Sequence, residues 1–473
     1  MSSLFTKERR IIYARRIKGF WEEFSRKKIG MLGLGMLFVF VAIAIFAPWL
    51  TPYDPIAQER IAQDFAMPQW VTIFPGNENL PTTVRNELYW TPIKGDTFVQ
   101  GYGDLVKVDY SAKTLETVDV ELASTFSHLN IPPNTFYAKL TWRSTDVQEV
   151  YYSLTLNVFT PNGTRYTIWK QDLLNITRGE VVAIESVDPF FRTRLGFEIH
   201  ENPAPVILAE NGEYTLVLRV RFKPDSMDAK AKVTIQDSEF VVLGHVHGIL
   251  GCDNVGADVF SQVIYGARIS LVIGLLAAGV GASIGIIVGV LSGYLGGLVD
   301  EVTMRVVDIL LCPPLLPLLL TLVFLFGKNV FYIVLFIAIF GWQGLARIIR
   351  SQVLSLRETA FIECAKAAGA SKFYIMIKHL IPNVLPIAFA SLVLRVPAAI
   401  LFEASLSFLG FGDPRVPTWG KMLHHAFGFG AFTHLAWWWL IPPGLAITLL
   451  CISFVFMGHA LDEVVNPRLR RRR

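Results

Sequence analysis

From Ile29 to Leu50 the chain is apolar almost without interruption, and about 20 such residues suffice to cross a ~30 Å hydrocarbon core. A signal-peptide core is shorter, about 7–15 residues, and is followed by small residues. Here Ala42-Ile43-Ala44 lies inside the run, so an uncleaved span is predicted. Gly30, Gly33 and Gly35 leave room on it for a neighbouring helix. Five further runs fit spans: Ile269–Gly293, Met304–Phe326, Val330–Ile349, Leu385–Phe402 and Ala436–Met457. Between the first run and the rest the pattern changes from continuous to alternating. Leu154, Leu156 and Val158 alternate with polar neighbours, as do Leu216, Leu218, Val220 and Phe222, a period of two that predicts strands. Turn residues punctuate them at Pro161-Asn162-Gly163, Asn211-Gly212 and Pro224-Asp225, which suggests an antiparallel sandwich.

Charge orients this arrangement. Nine basic residues from Lys7 to Lys28 precede the first span, and Arg468 and Arg470 to Arg473 follow the last. The positive-inside rule places both termini in the cytoplasm, which requires an even number of spans. Residues 350–384 then fall in the cytoplasm with five Lys/Arg, and residues 405–435 fall outside with only Arg415 and Lys421, beside Asp413. The β-rich insertion, residues 57–245, lies outside. Basic clusters beside a span face anionic headgroups rather than nucleic acid. Residues 17–24 carry their aromatics on one helical face, which suits a helix lying in the membrane interface. Composition agrees: 52% of the 473 residues are hydrophobic and 17% charged, against about a quarter charged in soluble domains. Asn162 and Asn175 each head a glycosylation sequon.

The cytoplasmic segment 350–384 is polar between apolar neighbours. Leu354–Ala368 is rich in Ala, Glu, Lys and Leu and favours helix. Gly369 is able to end it in the left-handed conformation, Ser371 to cap the next helix, and Pro382 to stop it. Phe373, Ile377 and Leu380 fall on one face. Two short helices at an angle result, with an apolar surface that needs a partner or lipid.

This stretch, from Arg357-Glu358-Thr359-Ala360-Phe361-Ile362-Glu363-Cys364-Ala365 through Gly369 to Leu380-Ile381-Pro382, resembles the "EAA" loop of ATP-binding-cassette importer permeases of the dipeptide/oligopeptide type. Cys364 replaces the second letter of the motif, and Ile381-Pro382 stands where Leu-Pro is usual. Ala47–Pro55, Gly251–Val259, Ile264–Leu271, Glu403–Gly412 and Pro417–Gly420 are similar to further family segments in the same order, although Ala257 and Gln262 stand where arginine is common. The resemblance covers residues 15–55 and 245–470. It implies that Glu363, Ala365, Gly369 and Pro382 couple the chain to a separate ATPase. It also implies a second homologous permease subunit, two ATPase subunits and an extracytoplasmic solute-binding protein as partners, and a peptide, oligosaccharide or metal complex as cargo.

Ionisable residues inside spans are costly and mark functional candidates. Arg395 and Glu403 lie eight residues apart, roughly two turns, so both are expected on one side of the fifth span as candidates for the translocation pathway. Arg395 could instead snorkel or pair with the partner subunit. Arg305 and Asp308, one turn apart, could pair with each other. The chain has no phosphate-binding loop, since Gly327-Lys328 and Gly420-Lys421 lack the glycine-rich approach and the following Ser/Thr. ATP hydrolysis is therefore expected on another chain, with no cofactor here. His245-Val246-His247 and His424-His425 lack thiolates or carboxylates at metal-ligand spacing, and Cys252, Cys312, Cys364 and Cys451 form no paired motif.

The sequence thus predicts an all-α polytopic cell-membrane protein with six transmembrane helices and an inserted extracytoplasmic β-sandwich-like domain. Its expected parts are an interfacial helix (1–28), a first span (29–50), the insertion (57–245), a five-helix permease core (246–460) with the coupling loop 350–384, and a basic tail (461–473). An ion-coupled secondary transporter would show paired broken helices and inverted repeats, and neither stands out. A membrane-anchored receptor acting through the β-domain would not need the cytoplasmic helix pair.

Overall fold

In the computed structural model, residues 18–465 are described apart from 58, 102, 130 and 199. Most of the expected interfacial helix and all but the start of the basic tail lie outside the described residues, although residues 18–25 are helical. The first apolar run forms α1 (Lys28–Leu50). From residue 259 onward the helices are α2 (Val259–Leu295), α3 (Gly297–Leu311), α4 (Leu315–Phe326), α5 (Val330–Ile339), α6 (Gln343–Arg357), α7 (Ala360–Ala367), α8 (Lys372–Ile375), α9 (Ile381–Phe408), α10 (Trp419–Gly428) and α11 (Trp437–Val465). Among the described residues five helical stretches are long and apolar enough to cross a membrane, with α5–α6 and α8–α9 each counted as one, or six if α3 and α4 count as one broken span. The chain divides into two compact units, Glu59–Asp258 and the helical residues on either side of it.

Glycine sets the helical packing. In α2, Gly285, Gly289 and Gly293 recur every fourth residue, one side of the helix. A methyl group on Gly289 would lie 2.7 Å from both the Ala346 carbonyl oxygen and Ile349 Cβ, and one on Gly293 would lie 2.9 Å from the Arg350 carbonyl oxygen. The backbone of α6 therefore rests directly on α2. Gly30 and Gly33 of α1 do the same against Ala460 and Ser453 of α11. Gly35 faces open space, so it makes no such approach. Two carboxylates fasten α3 to α6, Asp300 to Arg350 and Asp308 to Arg347. Asp308 does not pair with Arg305, because α6 brings a second arginine within reach.

Three expected boundaries shift. The third run is not one straight helix. The chain turns by 85° between α3 and α4, where Pro313 and Pro314 interrupt the hydrogen-bond ladder. With 12 residues, α4 is only about 18 Å long at 1.5 Å per residue. The fourth run breaks at Phe340–Trp342 and continues as α6 to Arg357. Pro382 does not stop a helix. A π turn at Met376–Leu380 leads straight into α9, with Pro382 in its first turn, where a missing N–H costs nothing.

In the other unit, eleven strands among the described residues form two antiparallel sheets: β1 (Val84–Glu87), β2 (Thr91–Lys94), β3 (Val99–Gln100), β4 (Val106–Ser111), β5 (Val118–His128), β6 (Phe136–Gln148), β7 (Val150–Phe159), β8 (Arg165–Leu174), β9 (Gly179–Glu185), β10 (Gly212–Pro224) and β11 (Lys230–Val242). One sheet has six strands in the order β3-β4-β11-β6-β9, with β1 also on β11, and the other has five in the order β2-β5-β10-β7-β8. Leu154, Leu156, Val158, Leu216, Leu218, Val220 and Phe222 all point into one core shared by the two sheets. Rings stack from sheet to sheet, Tyr110 on Phe222 at 4.5 Å and Phe126 on Phe240 at 4.6 Å. The turn at Pro161-Asn162-Gly163 joins β7 to β8, with Gly163 at φ 86°.

Where the helical unit gives way to this insertion, Thr51 and Ser261 are hydrogen-bonded to each other through their hydroxyls, both buried. The chain therefore leaves α1 and re-enters α2 at neighbouring points.

Candidate functional site

The first candidate is the segment from α6 to α9. α7 ends in a Schellman motif. Gly369 takes φ 80°, its N–H donates to the Lys366 carbonyl, and the Ala370 N–H donates to the Ala365 carbonyl, both at 3.0 Å. The Ser371 hydroxyl then accepts from the Tyr374 N–H at 3.3 Å and starts α8. The kink has an anchored side and a free side. Ile362, Ile375, Met376 and Leu380 are buried with Tyr294, Leu345, Ile349 and Val353 of α2 and α6. Phe361, Phe373, Tyr374 and Ile377 are exposed, Phe373 by 68%. The expected face of Phe373, Ile377 and Leu380 is thus split. The wide π turn rotates Leu380 inward while the other two stay outside. Glu363, Gly369 and Pro382 are exposed and Ala365 is half-buried. Lys366 lies 5.9 Å above the Tyr294 ring, a cation–π contact holding α7 to the end of α2.

The second candidate is a cavity of about 240 Å³ inside the helical unit. Ala277, Ala278, Gly281 and Ala282 of α2 form one wall, and Arg395, Ala398, Ala399 and Phe402 of α9 another. Both helix breaks border it, through Leu311 and Leu315 at one and Phe340, Gly341, Gln343 and Gly344 at the other. Irregular backbone at membrane depth is tolerated where it lines such a space. Arg395 Nη1 donates to the Gly341 carbonyl at 2.6 Å.

Glu403 is not in this cavity. It is 2% exposed, accepts from the Ser407 hydroxyl at 2.7 Å, and sits beside Thr418, the N-cap of α10. Eight residues at 3.6 per turn leave it about 80° around the helix from Arg395, near enough for one broad face, yet only Arg395 lines the cavity. Its surroundings explain several of the motif glycines. A methyl group on Gly420 would lie 2.5 Å from the Ala404 carbonyl oxygen, and one on Gly412 would lie 2.5 Å from the Ser407 hydroxyl. Trp419 follows, fully buried, and donates from Nε1 to the Val263 carbonyl at 2.9 Å.

Asp413, in the loop between α9 and α10, accepts from the Arg415 guanidinium at 3.0 Å and from the Val330 N–H at 3.2 Å. The arginine holds its carboxyl down at about 2. Sequence reasoning passed over Gln343, whose one available signal was an amide inside an apolar run. It lines the cavity, is 2% exposed, and its Nε2 has no hydrogen-bond partner among the described residues.

Known proteins match parts of this sequence. The family described as the inner membrane component of binding-protein-dependent transport systems matches residues 285–471, and the N-terminal transmembrane domain of oligopeptide transport permease C matches residues 16–68. The oligopeptide transport system permease protein OppC of Escherichia coli K12 is 43% identical over 222 residues, 46% of this chain and 72% of that protein. The chain belongs to the binding-protein-dependent transport permeases. The dipeptide transport system permease protein DppC of Bacillus subtilis is likewise 37% identical to this permease, over 47% of the chain and 69% of the relative. A solved structure of the MetNI methionine transporter, facing inward, aligns with 44% of the permease at 18% identity and a TM-score of 0.35, too slight a likeness to carry weight. Permease subunits of this family are non-catalytic membrane components.

Proposed function

We propose that this permease forms half of the translocation pathway of an ATP-driven importer of peptides or chemically related small solutes, and that the α7–α8 kink is the lever on which an ATPase subunit acts. The observation that carries the proposal is the two-sided packing of the kink. One face is locked into the core of α2 and α6, and the other offers Phe361, Phe373, Tyr374 and Ile377 to a partner. Force applied to the exposed face reaches the spans through packed side chains. The relatives are named for oligopeptide and dipeptide transport, which makes peptides the substrate class of choice. A second permease, two ATPases that hydrolyse ATP, and an extracytoplasmic solute-binding protein complete the assembly. The orientation has both termini in the cytoplasm, six crossings with α3 and α4 as one, and the two-sheet unit outside as a β-sandwich beside the binding protein's docking site. Glu363, Ala365, Gly369 and Pro382 belong to the coupling surface, and Arg395 to the pathway. Glu403 holds α9 against α10 at the pathway's rim.

Replacing Gly369 by valine tests the lever. The residue sits at φ 80° with nothing within 4 Å of an added methyl group, so the substitution acts on conformation alone, at about 1–2 kcal/mol. Uptake should collapse while the chain still inserts and assembles. Undiminished uptake by a fully assembled variant refutes the lever.

A further inference from the structure

The cavity beside α9 joins three features that all favour negative charge. Arg395 lines it, and among the described residues that form its wall none is acidic. A single carbonyl, that of Gly341, takes one of the guanidinium's five N–H groups. Gln343, 2% exposed, lines the same space, and its Nε2 has no hydrogen-bond partner among the described residues. Gln343 is also the first residue of α6, a 15-residue helix whose opening N–H groups and positive dipole end therefore border the cavity. A methyl group on Gly344 would lie 2.9 Å from Arg395 Nη2, so a side chain there would shift the guanidinium from its present place. A cation, an amide donor and a helix N-terminus with no counter-charge, in apolar surroundings of Ala and Phe, are costly when empty. An arginine fork matches the two oxygens of a carboxylate.

We infer that Arg395 and Gln343 form a carboxylate-binding site at the start of α6, and that its ligand is the terminal carboxylate of the transported solute. The ligand assignment rests on the importer function proposed above. The site itself does not. A cavity of about 240 Å³ holds a carboxylate and a short stretch of attached chain, not a whole peptide, so the site would grip one end of the cargo and leave the rest unread.

Two measurements separate site from function. First, the purified permease assembly is warmed in sodium propionate, propionamide or sodium chloride at matched ionic strength. Propionate alone should raise the unfolding midpoint, Arg395→Gln should abolish the rise, and Arg395→Lys and Gly344→Ala should each diminish it, since one loses the fork and the other displaces it. Equal stabilisation by chloride, or a propionate effect that survives Arg395→Gln, overturns the site. So does loss of the second permease from the Arg395→Gln assembly without any propionate effect, which assigns the arginine to a subunit contact. Second, uptake of a peptide is compared with that of its C-terminal amide. The parent should prefer the free carboxylate about tenfold, and Arg395→Gln should erase the preference. Import of both at equal rates overturns the ligand assignment and leaves the importer function standing. Import of neither, with the propionate effect intact, overturns the importer function and leaves the site.

Discussion

Gly289 and Gly279 lie ten residues apart on α2 and should respond oppositely to the same added methyl group. At Gly289 the methyl collides with the α6 backbone, whereas at Gly279 it meets nothing within 4 Å. Gly289→Ala should therefore lower stability by about 1–3 kcal/mol through overpacking. Gly279→Ala should be neutral or raise it by about 0.5–1 kcal/mol, because alanine restricts the unfolded chain. Thermal unfolding of the purified variants in one detergent tests both, and a harmless Gly289→Ala refutes the close approach. Asp413 gives a pH test at the same scale. Its carboxyl is held at about 2, below the ordinary 3.8, chiefly by Arg415. Lowering a folded-state pKa stabilises above the unfolded value, and the gain disappears as pH falls through the folded one. The parent should thus outlast Asp413→Asn at pH 7, and the gap in unfolding midpoint should narrow between about pH 5 and 2. A gap that widens on acidification refutes this.

Elements show which kinds of information a sequence carries. The alternation at Leu216 to Phe222 prescribes a strand because a period of two leaves no other way to bury one face, and β10 follows it. The kink at Gly369 and the cap at Ser371 are legible because each is a local property of one residue. The 85° turn at Pro313-Pro314 is not legible from hydropathy, which reads the same along a straight or a folded segment. Leu380 was misplaced because counting turns presumes 3.6 residues each, and the π turn is wider. Arg395 stood out as a charge among apolar residues, but that Gln343 shares its cavity is a fact of two helices meeting. The kink also separates two kinds of loss. Ile375→Ser places a hydroxyl in a core where the parent side chain is 1% exposed and should cost about 2–5 kcal/mol, like other large core deletions. Phe373→Ser, on the exposed face, should change stability by less than about 0.5 kcal/mol and instead reduce recovery of the ATPase with the permease. Equal ATPase recovery from Phe373→Ser and parent removes Phe373 from the coupling surface.

For the whole molecule, the question is whether the two units depend on each other. The two-sheet unit keeps its own core, from Tyr110 on Phe222 to Trp142. The helical unit closes around α2 without it. Excising Glu59–Asp258 and bridging the ends with a short Gly/Ser linker should leave a permease that inserts and recovers ATPase as the parent does, with slower uptake if the binding protein docks on the excised unit. Failure of the shortened chain to assemble refutes the independence of the helical unit, and unchanged uptake refutes the docking role. The hydrogen bond between Thr51 and Ser261 has a bearing on how such an arrangement is tolerated. Closing a loop costs entropy that grows with the length between its ends, yet a segment that folds by itself with its ends side by side behaves as a short loop, however many residues it contains. By holding those ends together at the necks of α1 and α2, two hydroxyls make the helical unit indifferent to how much chain is threaded between them.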